Sequence, residues 1–116
     1  MPRRPLSEIR VVDLTVARGE MCGRFLSDLG AEVIRVEAEG GSSARSMAPI
    51  VGDHSLFFTW RNCGKLGVEL DLTSDAGRAQ LHELLAHSDV VIVSDEPGTN
   101  ADSGLDADDL AARHPH

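Results

Sequence analysis

The chain has 116 residues, 41% of them hydrophobic, and its 19 acidic side chains outnumber the 11 basic ones to leave a formal net charge of −8. That length holds one small domain, so a two-domain enzyme within the chain is excluded. Residues 66–116 carry eleven acidic against two basic groups, and aromatics make up 3% of the whole, so neither a basic nucleic-acid stripe nor a base-stacking surface is present.

At the N-terminus Arg3 and Arg4 precede no apolar segment of the kind a secretory signal needs. No run of about 18 uncharged apolar residues occurs anywhere, and the expected compartment is the cytoplasm. Ile9 to Leu14, IRVVDL, is rich in β-branched residues and predicts a buried strand. Met21, Cys22, Phe25, Leu26 and Leu29 then fall on one face of a 3.6-residue period, which predicts a helix with Met21, Phe25 and Leu29 in the core and Gly30 as its stop. Glu32 to Glu37, EVIRVE, predicts a second strand. The strand, helix and strand form a βαβ unit with parallel strands.

Residues 38–53 are rich in Gly, Ser, Ala and Pro and read as a long loop. His54 to Arg61 carries Phe57, Phe58 and Trp60 and reads as a short helix or an irregular plug. Gly67 to Leu72, GVELDL, alternates as a third strand. Thr73 or Ser74 then caps a helix reaching about His87 on Leu81, Leu84 and Leu85. Val90 to Val93, VVIV, reads as a fourth strand and the most deeply buried. A last short helix, capped by Asp106, has no later element to pack on. These elements predict an α/β fold, a Rossmann-like parallel sheet with flanking helices, and the unpartnered last helix predicts that it is an incomplete part of a larger domain. If later strands cover the surroundings of Val90 to Val93, the isolated chain exposes apolar surface there.

Several chemistries find no support. Gly19 and Gly23 give no GxGxxG dinucleotide cradle, and Gly64-Lys65 lacks the upstream glycine of a phosphate-binding P-loop. An unrelated nucleotide-binding oxidoreductase is therefore the weakest of three functional readings. Cys22 and Cys63 fit neither a disulfide framework nor a metal knuckle and read as buried or idle thiols. His82 and His87 miss the i, i+4 spacing of a metal pair and read as solvated surface, so no metal site is expected. Asp13 reads as a hydrogen-bond partner of the following turn, Lys65 as an exposed turn residue, and the acids from Asp102 to Asp109 as a solvated face.

In an open parallel sheet, ligands bind beyond the carboxyl ends of the strands. The candidate site therefore lies in the loops Thr15 to Glu20, Ala38 to Asp53, Thr73 to Asp75 and Ser94 to Gly98. The order IRVVDLT, SDLGAEVIRVE, Gly40-Gly41, Ala44-Arg45, HSLFF, Asn62 to Lys65, VELDLTSDAGRAQL, SDVVIV, Pro97-Gly98 and Gly104-Leu105 resembles the N-terminal segment of family III CoA-transferases. That family, of CaiB/BaiF type, has formyl-CoA transferase and alpha-methylacyl-CoA racemase among its members.

The resemblance implies a substrate rather than a resident cofactor, coenzyme A or an acyl-CoA. It also implies CoA transfer to a carboxylate and a dimer of interlocked rings, reached as a homo-oligomer or with a complementary chain. The nucleophilic aspartate of the family falls downstream, so none of the eleven aspartates here inherits that role. CoA contacts are implied at Ala17 and Arg18, at Ala38, at Leu70, Asp71, Leu72 and Thr73, at Ser94, Asp95 and Glu96, and at Asp102. The chain departs from the family where carboxylates face a polyanionic ligand. Basic residues are common at the positions of Ala38, Thr73 and Asp102, and an Asn-Phe-basic pattern at Ser94 to Glu96. The loop after the first strand is one residue short and reads Arg18-Gly19-Glu20 in place of Ala-Gly-Pro. A degenerate member acting as an assembly or interaction unit is the alternative reading.

Overall fold

The computed structural model describes residues 2–100, 102 and 104–116. In chain order its elements are β1 (Arg10–Asp13), α1 (Glu20–Asp28), β2 (Glu32–Glu37), β3 (Ile50–Val51), β4 (His54–Ser55), α2 (Leu56–Asn62), β5 (Leu66–Glu69), α3 (Asp75–Ala86), β6 (Val90–Ile92) and α4 (Ala107–Arg113). A single turn of 3-10 helix at Ser43–Ser46 interrupts the loop after β2. The main sheet is wholly parallel in the order β5-β2-β1-β6, while β3 and β4 form a small antiparallel hairpin.

β1 is central because its side chains are taken up on both faces, which its unbroken apolar run requires. Val11 pairs with Val33 of β2 and Val90 of β6, and Val12 with Ile34 and Val91. On one face Val12, Val36 and Leu70 pack with Leu81 and Leu85 of α3 and with Leu105 and Leu110. On the other, Val11, Ala31 and Val33 meet Leu26 of α1 together with Leu6, Ile9 and Ile92. The parallel α/β fold expected from the sequence is the one observed.

α1 ends as its sequence predicts. Gly30 takes φ +108, its N–H reaches Ser27 O at 2.9 Å and Ala31 N–H reaches Leu26 O at 3.0 Å, the paired closure of a helix on a left-handed residue. α3 is capped by Ser74, whose Oγ accepts from Gly77 N at 3.0 Å.

Four expectations are corrected. β6 is not the most buried strand, because it lies at the sheet edge, where Val90 is 41% exposed. Phe25 and Leu29 are 59% and 48% exposed rather than core, since α1 turns Glu20 and Gly23 inward instead. β5 runs from Leu66 to Glu69, and Leu70 and Leu72 lie in the turn that follows it. Both cysteines are exposed. The aromatic segment resolves as a helix, α2.

Candidate functional site

The C-terminal end of the sheet carries a layer of buried ionic groups. At the tip of β1, Asp13 is fully buried, and its Oδ1 accepts from Thr15 N at 2.9 Å and Thr15 Oγ1 at 2.6 Å. This is the turn-holding role its sequence position suggested. Lys65 is not the exposed residue expected. Its Nζ lies 2.6 Å from Asp13 Oδ2 and also donates to Glu20 O and Asn62 Oδ1, both at 2.8 Å, so all three ammonium protons are used. Gly23 lets α1 pass over this pair, since a Cβ there would sit 2.6 Å from Asp13 Oδ2.

A second group surrounds Arg35, in mid-β2. Its Nη2 meets Glu20 Oε1 at 3.1 Å, and its Nη1 donates to Thr15 O at 3.2 Å and Asn62 Oδ1 at 3.0 Å. Its guanidinium carbon also stands 4.9 Å from the centre of the Phe58 ring. Farther out, Glu37 is gripped at both carboxylate oxygens by Arg45, at 2.7 and 2.8 Å, and by Ser42 N at 2.6 Å.

The Arg45 hydrogen bonds are the largest influence on Glu37 and hold its pKa at about 2 against an ordinary 4.5, despite the opposing effect of burial. A depressed carboxyl pKa stabilises the fold above pH 4.5, and that contribution disappears as pH falls toward 2. Because Arg45 is half exposed, it is worth about 2–3 kcal/mol rather than the full linkage value. Urea unfolding at pH 7 and pH 3 should show the loss, and Arg45→Met should remove most of the Glu37 share; an unchanged pH dependence in that variant contradicts the assignment.

In the observed strand order the chain leaves β1 toward β2 on one side and returns to β6 on the other. The crevice beyond β1 and β6 is therefore the place where an open α/β sheet takes a ligand. A cavity of about 280 Å³ opens there, with Leu14, Leu72, Val93 and Leu105 forming apolar walls and Thr73, Arg78, Asp95 and Asn100 its polar edge. A groove of about 300 Å³ beside the β6 edge is lined by Leu85, Val91, Leu110 and His114 and offers no Lys or Arg to an anion.

The structure gathers many of the residues singled out in the sequence. Leu72, Thr73 and Asp95 line the cavity. Asp71 Oδ1 accepts from Thr73 N at 3.0 Å and Thr73 Oγ1 at 2.5 Å, bonds that hold the Asp71 carboxyl below its usual pKa. Arg18, on the loop after β1, pairs at 3.2 Å with Glu96 on the loop after β6. Val16 N in the same loop reaches Ser94 Oγ at 3.4 Å. Ala17 takes φ +53, and its carbonyl accepts from Arg61 Nη1 at 2.7 Å. Leu70 is buried at the core margin, Ala38 is exposed just past β2, and Asp102 is exposed.

Two features escaped the sequence reading. Arg78, one turn into α3, stands at the cavity and donates from Nη1 to Leu72 O at 3.0 Å. It is one of two basic residues in 66–116, a scarcity that could have drawn notice. Glu20, which the sequence marked only as the end of a loop, is fully buried. His82 is also less free than expected, because its Nδ1 lies 3.0 Å from His114 Nε2, and burial lowers the pKa of both rings. Among the described residues no three His, Cys, Asp or Glu side chains are placed to hold a metal ion, and no helix is long and apolar enough to cross a membrane.

The sequence model of CoA-transferase family III matches residues 6–116. Over 119 residues the chain is 40% identical to a protein of Mycobacterium tuberculosis named as a probable fatty acyl-CoA transferase, covering 99% of this chain and 30% of that protein. Over 116 residues it is 35% identical to an acetyl-CoA:oxalate CoA-transferase of Acetobacter aceti, covering 98% of this chain and 30% of that one. Crystal structures agree. A mutant of the M. tuberculosis protein superposes with TM-score 0.87 at 42% identity, over 99% of this chain and 32% of that one. A CAIB/BAIF family protein from Brucella suis superposes with TM-score 0.87 at 33% identity, over 97% and 32%. The chain thus spans about 30% of the length of these curated relatives.

Proposed function

The chain belongs to CoA-transferase family III, and from that premise we propose that it forms the part of a CoA-transferase that receives coenzyme A or its thioester. The supporting observation is the crevice at the β1–β6 strand reversal, where apolar walls and Arg78 share one cavity. At about 280 Å³ it takes only a portion of CoA, such as a ring flanked by phosphate. Arg78 supplies charge-assisted hydrogen bonds to phosphate oxygens through guanidinium N–H groups beyond those it gives to Leu72 O and Asp75. Of the other residues singled out, Ala17, Arg18, Ser94 and Glu96 lie on the two loops beside the crevice, and Asp71 holds Thr73 at its edge, whereas Ala38, Leu70 and Asp102 stand outside the cavity lining. The transfer of CoA to a carboxylate acceptor then draws its nucleophilic aspartate from polypeptide outside these residues, and the chain alone is inactive.

Calorimetric titration with CoA at low salt is expected to show saturable binding in the micromolar to submillimolar range. Arg78→Ala should weaken it about tenfold, the loss of one charged hydrogen bond. Absence of saturable binding by the unsubstituted chain overturns the proposal.

One observation favours a second reading. Asp95, Glu96 and Asp102 present carboxylates where a phosphate ligand gains from cations, and Arg18 is engaged by Glu96. Failure to bind CoA with cooperative folding intact would make the chain an assembly unit, docking on a second copy or on a complementary CoA-transferase chain.

A further inference from the structure

The loop Thr15 to Gly19 follows Leu14 of the cavity wall and borders the crevice through its contacts with Ser94 and Glu96. Beyond Thr15, which Asp13 holds, its shape needs further support. It lies against the loop after β6, where a Cβ at Gly19 would be in ordinary contact with Ser94 Cβ at 3.5 Å, and it folds closely on itself, with Thr15 Cγ2 3.1 Å from the same position. At its apex Ala17 adopts φ +53, a left-handed conformation that a residue with a Cβ holds only when its surroundings fix it. Asp13 holds Thr15 and Arg61 holds the Ala17 carbonyl, and the Ala17 N–H at the apex is held by Glu20. Glu20 Oε1 accepts the Ala17 N–H at 2.8 Å while also meeting Arg35 Nη2 at 3.1 Å, and Oε2 accepts from Asn62 Nδ2 at 3.0 Å. Arg35 reaches on to Thr15 O at 3.2 Å, so the start and the apex of this lip are tied to the same buried carboxylate system.

We propose that Glu20 is a positioning residue. Its buried carboxylate sets the shape of the Thr15–Gly19 lip, aims Arg18 across the crevice, and thereby raises the affinity for the phosphate-bearing part of CoA. The inference rests on the CoA-binding reading above. A bracing role separates from a merely structural one because Glu20 does two things with different length requirements. Its charge faces Arg35, buried beneath it, while its reach delivers Oε1 to the loop amide. Shortening the side chain keeps the first and loses the second; neutralising it at full length does the reverse.

The experiment measures three quantities in the unsubstituted chain, Glu20→Asp and Glu20→Gln: thermal midpoint, hydrogen exchange at the Ala17 amide, and CoA dissociation constant by calorimetry. Glu20→Asp should stay the more stable of the two variants, yet lose at least about tenfold in Ala17 amide protection and weaken CoA severalfold. Glu20→Gln should be the less stable, because its amide nitrogen faces Asn62 Nδ2 and Arg35 loses its counter-ion, yet it should keep the Ala17 amide more protected than Glu20→Asp does and bind CoA more tightly than that variant. Stability and affinity therefore rank the two variants in opposite orders. Affinity that follows stability, or CoA binding unchanged in Glu20→Asp after the Ala17 amide has lost protection, overturns the inference. If Glu20→Gln does not fold, Glu20→Asp alone still decides between these outcomes. No CoA binding by the unsubstituted chain sinks the underlying reading and this inference with it, whereas binding that is indifferent to Glu20 sinks only the inference.

Discussion

Lys65→Met is expected to destabilise the chain by about 3–5 kcal/mol, enough to abolish cooperative unfolding in a domain whose total stability is of order 5–15 kcal/mol. The Lys65 side chain is 1% exposed and that of Asp13 0%, so the substitution leaves a carboxylate in the interior without its counter-ion. It also takes the ammonium donor from the Glu20 carbonyl and from Asn62 Oδ1, which keeps only Arg35 Nη1. Methionine is an unbranched side chain of similar volume to lysine, chosen to keep the packing change small beside the electrostatic loss. The double variant Asp13→Asn with Lys65→Met should recover a large part of the stability, because the buried charge is gone and the amide oxygen keeps the two hydrogen bonds donated by Thr15. Urea denaturation followed by circular dichroism reads both. A single-variant loss below about 1 kcal/mol would show that Asp13 is not held as an ion pair.

Gly77→Ala is expected to act against helix propensity. In an unconstrained helix the change stabilises by about 1 kcal/mol. Here the first turn of α3 lies directly on the preceding chain, and a Cβ at residue 77 would sit 1.8 Å from the Asp71 carbonyl oxygen and 2.5 Å from its carbon. Backbone on both sides must move apart, drawing Leu81 and Leu85 from the core they fill with Val12 and Val36. The expected cost is about 3 kcal/mol, at the upper end for overpacking. Because Thr73 and Arg78 flank this contact, CoA affinity should fall as well. A variant that melts at a higher temperature than the parent would place α3 elsewhere.

The parallel sheet was legible because four apolar runs, each with β-branched residues, alternate with helical periods. Periodicity names an element more readily than it names the element's neighbours. VVIV reads the same whether it lies at the centre or the edge of a sheet, and it lies at the edge. In α1 the hydrophobic stripe pointed to Met21, Phe25 and Leu29, whereas the inward positions are an acid and a glycine. Hydrophobicity cannot signal a buried Glu20 whose partners, Arg35 and Asn62, stand 15 and 42 residues away in sequence.

Within the site, the loops followed from the rule for parallel sheets, and Asp13 followed from its place before a turn. Lys65 and Arg78 did not, because which cation is buried in a pair and which borders a cavity depends on contacts distant in sequence. The acids at Asp95 and Glu96 were visible from the start. The structure adds that their loop meets Arg18 and Asn100 rather than standing free.

The claim on which the functional account depends is that the β1–β6 crevice receives CoA, and amide chemical-shift mapping during a CoA titration tests it most directly. The account predicts saturable shifts concentrated at Leu14, Thr73, Arg78, Asp95 and the Thr15–Gly19 lip, with the β6 edge groove near His114 unaffected. Shifts confined to that groove, or spread over the surface without saturation, would contradict it.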